Sequence, residues 1–329
     1  MMQALVYTGA KSLSHQTLPE PEPAQGEVLV KVAAAGICGS DMHAFLGHDA
    51  RRVAPLVLGH EIAGTVVRGE HEGKAVVVNP LISCHDCAYC LEGRANLCPE
   101  RTMLGMSRAG GFAEFVTAPT KNLLFTEGLD LKKAALSEPT ATVIHALRLV
   151  QKTLWRPLPE AKTLVIGGGA TGMLATLLLK SFGVQDLTLS ETSDLRRQHY
   201  EAVPGVKVHH PLIEELRPDT FEVVLDMVGI HATRTASFNA VKPGGVLMHF
   251  GLGDAAGDLD VRKLTLGEIS LLGSYAYTMN DMQQALRALE SGQLGNLEWL
   301  ETRPLTQGQE AFENLLAGEV AAPKIILLP

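Results

Sequence analysis

Cysteine is scarce in this chain: five among 329 residues, four of them between Cys84 and Cys98. An odd total with four members in one short stretch argues against a disulfide framework, which spreads an even number of cysteines along a chain. An excess of positive charge is also missing. Lysine plus arginine number 28 against 36 aspartate plus glutamate, a formal net charge of −8, so nothing is left over to neutralise a phosphate backbone and no nucleic-acid partner is expected. Long apolar runs are missing too. The longest uncharged stretch, Thr163 to Leu179, falls short of the roughly 18 residues of a membrane span and is broken by Gly167, Gly168, Gly169 and Gly172, so no membrane partner is expected either. Met1 to Ser12 lack the basic segment and apolar run of a secretory signal, which makes a reducing cytoplasm the expected compartment.

What is there is 46% hydrophobic and 19% charged, the composition of a globular chain that buries a large core. At roughly 150 residues per domain the length suggests two domains. From Gln3 to about Leu147 short β-branched runs alternate with turn residues, as in Val28 to Ala33, Gly64 to Val67 and Ala75 to Val78, and the passage reads as mostly β. Pro19, Pro21 and Pro23 preclude a regular helix before the first of these. From Ala161 onward the pattern changes to strand (Leu164 to Ile166), glycine turn, helix (Gly172 to Phe182) and strand (Leu187 to Ser190). Further strands are expected at Val223 to Leu225, at Val246 to His249 after the turn Pro243-Gly244-Gly245, and at Ile269 to Leu272. This alternation is that of an α/β, doubly wound parallel sheet. Two short helices, near Asp281 to Glu290 and Gln309 to Leu316, precede a last apolar strand at Lys324 to Leu328.

Gly167-Gly168-Gly169-Ala170-Thr171-Gly172 satisfies G-x-G-x-x-G between a strand and a helix. Gly167 and Gly169 let the backbone approach a pyrophosphate, Gly172 allows close helix-to-strand packing, and the helix start offers free N–H groups. Glu191 lies about 20 residues further on, at the end of the second strand, where a carboxylate holds a ribose 2′-OH. A carboxylate there repels a 2′-phosphate, which favours NAD over NADP. Arg196 and Arg197 pull the other way, since guanidinium groups bind that phosphate, but they read first as a solvated helix start, with a possible cover for the adenine at Arg196.

Cys84-x2-Cys87-x2-Cys90-x7-Cys98 places four soft ligands in one loop, as a closed tetrahedral zinc site requires. An iron–sulfur cluster is the competitor, since the first three cysteines resemble a ferredoxin run and Pro99 follows the last. Seven residues rather than three before Cys98 favour zinc, in a structural role. The fifth cysteine, Cys38, stands in Gly36-Ile37-Cys38-Gly39-Ser40-Asp41-Met42-His43, and Gly59-His60-Glu61 follows. Cys38 and His60 suit an open catalytic zinc, which takes about three protein ligands, but composition alone fits buried structural residues equally well.

Together these residues resemble the zinc-dependent medium-chain alcohol dehydrogenases. Cys38-Gly-Ser-Asp-x-His43, Gly59-His60-Glu61, the four-cysteine lobe, Gly110-Gly111-Phe112-Ala113-Glu114 and the Gly167 to Gly172 turn stand in that family's order and cover nearly the whole chain. Ser137-Glu138-Pro139 puts a glutamate where animal alcohol dehydrogenases have a cysteine, which is similar to the polyol, sorbitol and threonine dehydrogenase branch. Two departures stand out: the loop Gly69 to Gly73 is abbreviated, and Ala170-Thr171 replaces the family's frequent Pro and Ile.

The resemblance implies a mostly β GroES-like catalytic domain, residues 1–150 and 274–329 with a zinc lobe at about 79–100, wrapped around a Rossmann domain at 151–273. It implies two zinc ions per chain and NAD. Cys38, His60 and Glu138 would hold catalytic zinc, with Glu61 an adjacent carboxylate able to approach it. Asp41 would fix the His60 ring, Ser40 would touch the reacting oxygen, and His43 would pass its proton outward by way of the cofactor ribose. Turn-capping is the plainer role for Ser40, Asp41 and His43. The implied reaction is reversible oxidation of a secondary alcohol to a ketone with hydride transfer to nicotinamide, in a homodimer or homotetramer. A zinc-free quinone or enoyl reductase, which lacks the ligand set, and a non-catalytic NAD- and zinc-binding regulator are the competing readings.

Overall fold

A computed structural model describes residues 1–329. The β-branched runs of the first passage form an antiparallel sheet in the order Leu123–Phe125, Ala75–Val78, Glu61–Arg68, Glu27–Gly36, with Phe115–Pro119 also paired to Glu27–Gly36. The chain returns to this sheet near its end: Lys324–Leu328 pairs antiparallel with the end of Glu27–Gly36 and parallel with Leu300–Pro304. A smaller sheet of Ser12–Leu18, Met2–Gly9 and Leu56–Val57 stands beside it.

The second passage forms a six-stranded sheet, every pairing parallel, in the order Val206–His209, Leu187–Ser190, Thr163–Ile166, Phe221–Asp226, Val241–His249, Ser270–Gly273. Its order reverses between Thr163–Ile166 and Phe221–Asp226. A doubly wound sheet opens its ligand crevice at that point, outside the carboxyl ends of the strands.

Two expectations are corrected, and one strand is new. Residues 137–153, read partly as β, form one helix, because Pro139 falls in the first turn, where no intrahelical N–H bond is lost. Pro243-Gly244-Gly245 does not precede a strand but lies inside Val241–His249, as an irregularity in its pairing with Phe221–Asp226. Leu300–Pro304 is a strand that no apolar alternation announced.

The Ser137–Thr153 helix joins the two sheets. Ile144 and Leu147 on it share one core with Ala34, Ala63 and Val77 of the antiparallel sheet and Val165 and Leu189 of the parallel one. At the junction a crevice of about 720 Å³ is walled by both parts of the chain, with Cys38, Ser40 and His43 from one and Gly167, Gly168 and Gly169 from the other. No helix is long and apolar enough to cross a membrane.

Candidate active site

One wall of the crevice comes from the Gly39–Phe45 helix. Cys38 precedes it, and the Asp41 carboxylate folds back to accept the Cys38 N–H at 3.0 Å, which closes the first turn. Cys38, Ser40 and His43 line the crevice, while Asp41 is wholly buried behind them. Asp41 Oδ1 stands 3.5 Å from His60 Nδ1, a nitrogen with no other partner. Burial works against a charge on Asp41, but His60 first and then Arg52 hold its carboxyl below the usual range. His43 is half-buried, and burial together with nearby His48 and Arg52 keeps its imidazole below the ordinary value.

Cys38, His60 and Glu61 bring ligand atoms within 4.8 Å of one another. The sequence expectation places Glu138 in this set, yet the compact triplet has Glu61, and Glu138 stands at its edge. Burial, with the Glu61 charge beside it, pushes the Glu138 carboxyl up to about 7, although His60 pulls the other way. Glu61 is already engaged, because both its oxygens accept from Lys324 Nζ at 2.6 and 2.7 Å. Tyr277, also buried, turns its hydroxyl toward Glu138, and burial with that carboxylate raises its pKa well above the usual phenol value.

The opposite wall is the glycine turn. Gly167 has φ +100°, and a Cβ on Gly172 would lie 1.9 Å from the Gly167 carbonyl, so helix and strand touch there through bare backbone. Gly167, Gly169, Thr171, Glu191 and Arg196 line the crevice, whereas Ala170 and Gly172 do not. The Glu191 carboxylate accepts from the Gly168 N–H at 2.5 Å and the Ser193 N–H at 2.7 Å, which fixes it at the strand end. Arg196 Nε is buried there without a partner, an orphan donor that suits an anionic or polar ligand group.

The four remaining cysteines converge in a separate lobe. Their sulfurs lie 3.5 Å (Cys84 to Cys98 and Cys87 to Cys90) and 3.8 Å (Cys84 to Cys90) apart. Zinc–sulfur bonds of about 2.3 Å in a tetrahedron separate sulfurs by about 3.8 Å, so this set fits zinc with no ligand position open. The lobe docks through Asn96 Nδ2, which donates to the Tyr275 carbonyl at 2.8 Å, and through Arg101, stacked 4.8 Å over the Tyr275 ring.

Residues 24–127 match the alcohol dehydrogenase GroES-like domain and residues 170–291 the zinc-binding dehydrogenase domain. The chain is 31% identical over 332 residues to the 2-dehydro-3-deoxy-L-galactonate 5-dehydrogenase of Pseudoalteromonas atlantica, covering 95% of each. It belongs to the zinc-dependent medium-chain alcohol dehydrogenases. Another similar member is the L-galactonate-5-dehydrogenase of Escherichia coli, 29% identical over 311 residues, 89% of this chain and 88% of that one. Among solved structures, acetophenone reductase from Geotrichum candidum in complex with NAD superposes with a TM-score of 0.90 at 28% identity, over 100% of this chain and 97% of that one. The chain is thus a zinc-binding, nicotinamide-dependent alcohol dehydrogenase with GroES-like and Rossmann parts.

Sequence reading missed four residues of this dehydrogenase's site. Lys324 passes for the polar start of an apolar strand, Arg52 for part of a charged loop, and Tyr275 and Tyr277 for ordinary aromatics of a connecting segment. Pairing across the sheet and the return of the chain from the Rossmann part bring Lys324, Tyr275 and Tyr277 to the site, while Arg52 folds back onto it from the loop after Gly39–Phe45.

Proposed function

We propose that this dehydrogenase reversibly oxidises a secondary hydroxyl of a polyol, aldonate, diol or amino alcohol to a ketone, with NAD in preference to NADP. One observation supports this above the others: Cys38, Ser40 and His43 stand on one crevice wall with His60 and Glu61 in metal-ligand reach of Cys38, and the glycine turn with Glu191 stands on the other. The two galactonate dehydrogenases among the relatives make a sugar acid the first substrate to try.

Cys38, His60 and Glu138 would hold the catalytic zinc, and the four-cysteine lobe the structural one. Glu138 is preferred to Glu61 because Lys324 already neutralises Glu61 and occupies both its oxygens. Asp41, on the Nδ1 side of His60, leaves Nε2 for the metal and fixes the ring. Bound zinc would supply Lewis acidity at the substrate oxygen, and NAD would take up the carbinol hydrogen as a hydride. Ser40 accepts the hydroxyl proton and gives up its own toward His43, one turn along the same helix. Glu191 orients the adenosine ribose from the Rossmann side, and Arg196 covers its base. Residues 1–150 and 274–329 form the catalytic part, with its zinc lobe at about 79–100, and residues 151–273 the nucleotide-binding part. The unpaired edge of Ser270–Gly273 supports a homodimer or homotetramer, and cysteines gathered in two metal-ligand sets support a reducing cytoplasm.

The test is a panel of aldonates, sugar alcohols, vicinal diols and threonine with NAD and with NADP, scored by reduced cofactor. Turnover with at least one of them is expected, and Cys38→Ser should abolish it while NAD binds within about threefold of the parent. A zinc-loaded chain inactive across the panel overturns the reading.

A further inference from the structure

Arg52 is buried beside the site, and the proton path proposed above gives it no part. Its guanidinium is held on several sides: Nε donates to the Gly105 carbonyl at 3.1 Å, Nη1 to Asp49 Oδ2 at 2.5 Å, and Nη2 to Ser40 Oγ at 3.0 Å, with Asp41 Oδ1 3.4 Å from the same nitrogen. The side chains of Arg52 and Asp41 have no solvent exposure at all. A backbone carbonyl and two carboxylates thus lock the planar fork, and its contact with Ser40 has a set direction.

Direction matters because of what the two groups can do. Arginine only donates and keeps its protons, whereas a serine hydroxyl has one O–H and two lone pairs. Arg52 therefore occupies one lone pair of Ser40 Oγ, and the Ser40 hydrogen cannot point back at it. One lone pair and the O–H remain, and Ser40 lines the crevice with His43 one turn away on the same helix face.

We propose that Arg52 is a positioning residue for proton transfer, holding Ser40 so that its free lone pair receives the substrate proton while its O–H points toward His43. The proposal rests on the alcohol-oxidation reading above. The proton count closes: the substrate O–H bond breaks and its proton bonds to Ser40 Oγ, the original Ser40 proton leaves for the His43 imidazole, and Ser40 ends as a neutral hydroxyl. Without the guanidinium the hydroxyl is free to turn to the neighbouring Asp41 carboxylate, an acceptor that takes up the O–H and interrupts the transfer.

Arg52→Lys keeps the charge between Asp41 and Asp49 but replaces the fork by a single ammonium. With an alcohol that the parent oxidises, kcat should fall about 10- to 100-fold, KM for alcohol and NAD should stay within about threefold, zinc content should not change, and the solvent deuterium isotope effect on kcat should rise. Because Arg52 acts through Ser40, Arg52→Lys should add no further loss to Ser40→Ala, and its crystal structure should show Ser40 turned to Asp41. Independent, multiplying losses in the double variant, or an unchanged kcat and isotope effect in Arg52→Lys, overturn the proposal. Should Arg52→Lys fail to fold, Asp49→Asn loosens the same fork, and it should move kcat and the isotope effect the same way by a smaller factor; no movement overturns the proposal. If the parent oxidises nothing in the panel, the functional reading falls by itself, and the Ser40 rotamer in parent and variant crystals still decides the positioning role.

Discussion

Lys324 and Glu61 meet across a strand that belongs to neither. Glu61 pairs with Gly36 on one side of Glu27–Gly36, Ile326 pairs with Gly36 on the other, and the Lys324 ammonium reaches over to both Glu61 oxygens and the Ile37 carbonyl. The bridge passes where a side chain of residue 36 would be: a Cβ there would lie 1.8 Å from Glu61 Oε2. Lys324→Met leaves a buried carboxylate alone and should lower stability by about 3–5 kcal/mol in urea unfolding. Glu61→Gln should recover part of that loss in the Lys324→Met background. An unfolding midpoint equal to the parent's in Lys324→Met would show that the pair is not needed. Gly36→Ala should be destabilising for the same reason.

Loss of one sulfur from the cysteine lobe should separate the two metal sites. Cys98 is the buried member of the four. Cys98→Ser should bring zinc from about two ions per chain to about one, with Cys38 and His60 still metal-competent. Because the lobe docks on Tyr275, the unfolding temperature should drop while NAD affinity stays within a few fold. Elemental analysis beside calorimetry checks both, and a variant that keeps two zinc ions would rule out a four-thiolate site.

Asp281 makes a pH-dependent clamp between two helices. Buried at the start of Met279–Glu290, it accepts from His145 Nδ1 at 2.9 Å and from the Thr278 N–H at 2.9 Å, and it pairs with Arg148 at 2.7 Å; His145 and Arg148 are both on Ser137–Thr153. Burial alone would raise its pKa, but the bonds from His145 and Thr278 outweigh it and hold the carboxyl below the usual value. Its folded pKa is lower than its unfolded one, so its stabilisation is complete above about pH 4 and is lost as pH falls through the folded value. Asp281→Asn should cost about 2–3 kcal/mol at pH 7. It should also flatten the acid side of a stability curve measured from pH 7 to 3. An acid limb as steep as the parent's would assign it to other carboxylates.

Coenzyme choice should turn on the charge of Glu191. Glu191→Gln keeps an acceptor near the Gly168 N–H but removes the repulsion toward a 2′-phosphate. The ratio of kcat/KM for NADP to that for NAD should rise about tenfold or more, the equivalent of about 1.4 kcal/mol. An unchanged ratio would place the choice at Arg196 or Arg197 instead.

Features that need only neighbours in sequence were legible without the structure. The glycine turn, the strand before it, the four-cysteine run and the Cys38 to His43 segment each carry their meaning within about a dozen residues. The Ser137–Thr153 helix was less so, since Thr140, Thr142, Val143 and Ile144 are β-branched and Pro139 reads as a stop. Tertiary packing overrides those preferences, because this helix is the wall shared by both sheets. Arg52 and Lys324 were illegible for another reason: a lone cation near apolar or charged neighbours reads as solvated, and only the fold shows it shut in with carboxylates.

The bridge over Gly36 also imposes an order in time. Glu61 and Lys324 are 263 residues apart, so at 5–20 residues per second a ribosome delivers the lysine roughly 13–50 s after the glutamate. All six strands of the parallel sheet, residues 163–273, emerge within that interval. The strands of the parallel sheet can pair while Glu61 still lacks its cation. Every strand of the part made second is thus available before the part made first can close its bridge.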